Sequence, residues 1–139
     1  MTVSAAQTPI VATTTLSAPP RRAILVLAVA GAAAASAAVG AAGSALPADA
    51  DLVLLVRFMA VVKAMMAMAA AGLVWWRLGS GIGTGLAAGY IAAVTLMATS
   101  PGVVWSMTSP TLASALFHSG LLFGLALAAR DGFTASRRA

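Results

Sequence analysis

The sequence predicts an all-α, polytopic integral membrane protein of about four transmembrane helices, with both termini in the cytoplasm. Three observations carry this prediction. Apolar residues make up 61% of the 139-residue chain and charged residues only 8%, against roughly one-quarter charged in a soluble domain. The mean hydropathy is +1.00. The charges also sort by sign: Arg21, Arg22, Arg77, Arg130, Arg137 and Arg138 fall on one side of a four-span arrangement, and Asp49 and Asp51 on the other. Cytoplasmic loops carry the excess of Lys and Arg, so the arginine side is the cytoplasmic one. The expected location is the bacterial inner membrane.

Composition also excludes function classes. A net charge of +5 would suggest nucleic acid in a soluble protein, but arginines at segment ends read as topology determinants, and no nucleic-acid partner is expected. The chain has no cysteine, which excludes thiol redox chemistry, thiolate metal sites and disulfides. It has no glutamate, and Asp49, Asp51 and Asp131 all lie outside the apolar runs. Paired-carboxylate and intramembrane-carboxylate mechanisms therefore lack their residues. Four spans of about 20 residues fill the chain and leave no room for a soluble catalytic domain.

Residues 1–20 are Thr, Ser, Ala and Pro without periodicity and read as a disordered N-terminal tail. The four-helix domain is expected over residues 21–131, with spans at about 23–46, 52–76, 81–99 and 110–129, and a basic C-terminal tail over 132–139. The first span is made of Ala, Val, Leu and Gly, with Gly31, Gly40 and Gly43 as candidate contact points. Arg21-Arg22, the apolar run and Ala48-Asp49-Ala50 also imitate a cleaved signal peptide. The run exceeds the usual 7–15-residue core of such a peptide, which favours a retained span.

The second span, Leu52 to Trp76, is the stretch around which the chain reads as organised. It ends at Trp75-Trp76-Arg77, an aromatic pair and a cation suited to a membrane face. Gly81, Gly85 and Gly89 open the third span at four-residue intervals and suggest a small-residue stripe. Ser100-Pro101-Gly102 is expected to stop it, leaving Val103–Ser109 as a short return segment. Ser109-Pro110 is a helix-start signal for the fourth span, on which Gly120 and Gly124 form a GxxxG packing motif. GSGIGTG imitates a nucleotide loop, but it has no preceding strand and no lysine.

Candidate site residues follow from polar groups in apolar runs. Arg57 and Lys63 lie in the second span, about 9 Å and about 18 Å along the helix from Asp51. A cation at the centre of a membrane helix costs about 2.5–3.5 kcal/mol on insertion scales, so each needs a reason. Arg57 is shallow enough to snorkel toward Asp49 or Asp51. His118 lies on the fourth span, about 13 Å from Ser109, with Ser114, Thr95 or Tyr90 as candidate partners. Arg57, Lys63 and His118 are expected to form one buried polar layer, and these three with Tyr90 are the candidate ligand- or partner-binding residues. No carboxylate inside the membrane answers these cations. Candidates for the missing acceptor are a haem propionate, a quinone carbonyl, a lipid phosphate, an anionic solute or a carboxylate of another subunit.

Met59, Lys63 and Met66 share a helix face. Thioethers suit copper(I), and Met59, Met66 and His118 make a candidate copper set, or a haem set with His118 as axial ligand. A methionine stripe with a cation inside it is better explained by packing. The leading functional expectation is a small, non-catalytic accessory subunit of a larger membrane complex, with an electron-transfer complex as one setting and haem or quinone as candidate cofactors. The alternatives are a self-assembling transporter of an anionic or weakly acidic solute, with Lys63 as its charge site, and a copper(I)-handling protein. The buried residues assemble no set of nucleophile, base and orienting group, so an enzyme acting alone is the least expected.

Overall fold

The computed structural model describes residues 20–45 and 47–136, with side chains described as far as Gly132. The expected N-terminal tail and the last arginines therefore lie almost wholly outside the described residues. Five helices follow in order: α1 (Arg21–Ala42), α2 (Ala50–Leu78), α3 (Thr84–Ala98), α4 (Ser100–Trp105) and α5 (Pro110–Ser136). With α3 and α4 taken together, four helical segments are long and apolar enough to cross a membrane, an architecture suited to a multi-pass membrane protein.

Local chemistry explains the ends. Pro20 precedes the first turn of α1, and Gly43 closes it by donating its backbone N–H to Val39 O. Asp49 and Asp51 stand at the start of α2 and Arg77 in its last turn, the charge arrangement that a helix macrodipole favours. After α2 the chain turns through Gly81 at φ +70°, a left-handed conformation that suits glycine. Gly81 thus precedes α3 and cannot belong to a stripe along it. The fourth span continues as helix to Ser136, so residues 132–136 extend α5 instead of starting a separate tail.

The third span differs most from expectation. Ser100-Pro101-Gly102 does not stop it; the helix breaks at Thr99 and resumes as α4 through Trp105. Thr99 keeps right-handed helical angles (φ −73°, ψ −19°), and Pro101 occupies the first turn of α4. A proline N–H is not missed there. The reversal comes later, at Met107, whose φ is +56° and whose side chain is buried.

This interrupted helix, not α2, is the hub. Packing against α3 and α4 occupies α1, α2 and α5 alike, whereas α1 has no close packing against α5. Of its apolar window 44% is buried, against 17% for each of the other three spans. Small residues allow the approach. A Cβ on Gly102 would meet Ala37 N at 2.8 Å, one on Gly40 would meet Gly102 O at 2.9 Å, and one on Gly120 would meet Ala93 O at 2.6 Å. Gly89 lies against Leu127 and Gly124 against Ala93, while Gly31 and Gly85 face open space. The glycines that make the third span weakly hydrophobic include those that let its backbone be buried. At the break, Ser100 is fully buried and its hydroxyl has no partner among the described residues.

Candidate functional site

A groove runs between α2 and α5, floored by the third span. A waist of buried Ala67, Met97 and Phe117 divides it. On one side lies an apolar cleft of about 320 Å³, bordered by Leu73 and Trp76 of α2, Tyr90 and Val94 of α3 and Leu125 of α5. On the other lies a polar cleft of about 560 Å³, where Lys63 and Met59 face Ser114, Ala115 and His118.

Lys63 projects from α2 into the polar cleft and is 9% exposed. Its Nζ donates to Ser114 Oγ at 3.3 Å and sits 5.5 Å from the centre of the Phe117 ring, within cation–π range. His118 lies one turn beyond Ser114, and its Nδ1 is 2.7 Å from Ser114 O. A carbonyl oxygen only accepts, so Nδ1 carries the proton and donates. Ser114 Oγ is a second acceptor for it at 3.3 Å. Phe117 meets the imidazole edge to face, 5.8 Å between centroids. The histidine is exposed at the rim, and among the described residues no carboxylate lines the cleft.

The expected polar layer is therefore incomplete. Arg57 is exposed and stacks on Trp105 at 5.2 Å instead of lining the cleft. Six residues, about one and two-thirds turns, separate it from Lys63 and leave the two side chains about 120° apart around α2. Tyr90 belongs to the far end of the groove, beside Asp131 and Arg77. Of the three named partners for His118, Ser114 is the one it meets; Thr95 donates to Ile91 O within its own helix. Met59 stands on the polar cleft with His118, whereas Met66 is exposed outside it.

An ion pair absent from the sequence reading closes the other end. Arg77 Nε donates to Asp131 Oδ2 at 2.8 Å, and Arg77 Nη1 donates to Ser80 Oγ at 2.7 Å. The signal was available, because a four-span topology brings residues 77 and 131 to the same face. Close by, Arg22 stacks on Trp75 at 5.1 Å and Arg21 donates to Thr84 Oγ1 at 3.1 Å and to Ile82 O. Cation–tryptophan contacts thus mark both ends of the bundle. Arg57 and Arg77 stand twenty residues apart on α2, about 30 Å along the helix. That is close to the thickness of a bilayer's hydrocarbon core.

The arrangement offers a buried ammonium, a hydroxyl and an imidazole whose Nε2 is left to the outside, and among the described residues no carboxylate lines the cleft as a counter-ion. Compared with known proteins, the chain matches no family model, no curated sequence and no solved structure.

Proposed function

We propose that this chain is a small non-catalytic accessory subunit of a larger bacterial inner-membrane complex, inserted with both termini in the cytoplasm. Its polar cleft meets an acceptor group that a neighbouring molecule brings: an anionic cofactor, a lipid or a partner side chain. One observation carries the reading. Lys63 is nine-tenths buried, yet among the described residues its ammonium has a single hydroxyl as hydrogen-bond acceptor and no carboxylate in its cleft. A buried cation left so under-satisfied is costly in isolation, and an external acceptor relieves that cost. The outward faces of α1, α2 and α5, including Leu27, Met68 and Leu122, are apolar and exposed, which suits burial against lipid and other membrane subunits. The apolar waist at Phe117 favours binding in place over passage along the groove, so anion transport ranks second.

Gentle extraction from native membranes followed by native mass spectrometry tests the proposal. The expected result is co-migration with other membrane subunits, with an absorption spectrum of the same species reporting any haem. A homo-oligomer that binds and moves an anionic solute by itself would instead support the transporter.

A further inference from the structure

We propose that the α2–α5 groove binds one anionic phospholipid, its phosphate held by Lys63 and Ser114 and an acyl chain laid over the Phe117 waist into the apolar cleft. This assignment rests on Lys63 being a binding group, as in the function proposed above. It begins with the protons. Lys63 has three N–H donors, of which one reaches Ser114 Oγ. Ser114 Oγ faces Lys63 Nζ and His118 Nδ1, both of which carry the proton, so its own O–H is left to donate. The remaining ammonium N–H bonds and the Ser114 hydroxyl thus border the same cleft. Donors around a positive charge, with no carboxylate on the wall, fit an oxyanion. His118 acts as a positioning residue, because its Nδ1–H sets which way the serine donates.

Depth selects a lipid as the source of that oxyanion. Ser114 lies four residues into α5, about 6 Å along the axis from Pro110. The Arg57–Trp105 contact marks this same end of the bundle. Lys63 lies six residues, about 9 Å, past Arg57 on α2, and its four-carbon stem lets the ammonium reach back toward that belt and a headgroup phosphate. From Ser114 to Leu125 in the apolar cleft is eleven residues, about 16 Å. An acyl chain hanging from a phosphate at Ser114 covers that distance by crossing the midplane of a core about 30 Å thick. Head site and tail site are thus one lipid length apart on one groove.

The test is native mass spectrometry of the full chain in detergent, titrated with phosphatidylglycerol and phosphatidylcholine of identical acyl chains. The wild type is expected to retain phosphatidylglycerol preferentially. Lys63→Met and Ser114→Ala should each lower that preference, by about tenfold for the charge, while Lys63→Arg preserves it and Arg57→Met leaves it unchanged. Leu125→Trp, which fills the apolar cleft and keeps Lys63, should weaken retention of both lipids. Equal retention of the two lipids by the wild type would overturn the assignment, as would a preference that survives Lys63→Met. Co-purifying subunits without lipid preference would overturn the lipid alone. Lipid preference in a chain that extracts only as a homo-oligomer would overturn the subunit reading alone.

Discussion

Lys63 on α2 and Ser114 on α5 meet across the groove at 3.3 Å, fifty-one residues apart in sequence. Together with Arg77–Asp131 at the far end, this contact ties two helices that otherwise splay around two clefts. The two ties differ in kind. Asp131 gives Arg77 a carboxylate, whereas Ser114 gives Lys63 a neutral hydroxyl.

If Lys63 serves a ligand instead of the fold, Lys63→Met should leave the bundle intact. Removing a buried, weakly answered cation should raise the unfolding free energy by about 1 kcal/mol or more. Thermal unfolding in matched detergent, without added lipid, reads this directly. A large loss of stability would make Lys63 a structural residue.

The close approach of α5 to α3 depends on Gly120. Its Cβ would meet Ala93 O at 2.6 Å and Leu96 Cβ at 3.0 Å, so Gly120→Ala should cost about 1–3 kcal/mol. Gly85 has nothing within 4 Å, and Gly85→Ala should be neutral or stabilise by about 0.5–1 kcal/mol through backbone entropy. Unfolding both variants in mixed micelles checks the contrast, and equal effects would contradict this packing.

Ser100 places a hydroxyl without a partner at the break in the third span. Ser100→Ala should therefore be neutral or stabilising, by up to about 1 kcal/mol, because it removes a buried polar group that makes no bond. A clear destabilisation in the same assay would reveal a partner for that hydroxyl.

Membrane register can be read with thiol labels, because the chain has no cysteine of its own. With Arg57–Trp105 at one face and Arg77 at the other, Leu54, 71% exposed, stands beyond the hydrocarbon edge. A cysteine at Leu54 should react with an impermeant maleimide on intact cells. One at Ser80 should react only after permeabilisation, and one at Met65 in neither case. Labelling at Ser80 before permeabilisation would invert the proposed topology.

Element types were legible in the sequence because long apolar runs broken by Pro, Gly and Arg have few other readings. The packing hierarchy was not. Hydropathy ranks α2 above the third span, yet the close contacts at Gly102 and Gly120 depend on missing side chains, which lower hydropathy. Pro101 signals a stop in the sequence because a proline breaks a helix interior; Thr99, by keeping helical angles, makes that break a joint. Lys63 and His118 stood out as polar residues in apolar runs, and they do border one cleft. Depth alone groups Arg57 with them, but its position around the helix directs it to Trp105.

In the proposed function Lys63 answers an acceptor carried by another molecule. Native masses of the species extracted from wild-type and Lys63→Met membranes, measured side by side, test it most directly. The wild type is predicted to carry a partner subunit or a bound non-protein mass that the variant lacks, while the variant remains folded. Identical masses for the two, or a wild-type species containing only copies of this chain, would contradict the account.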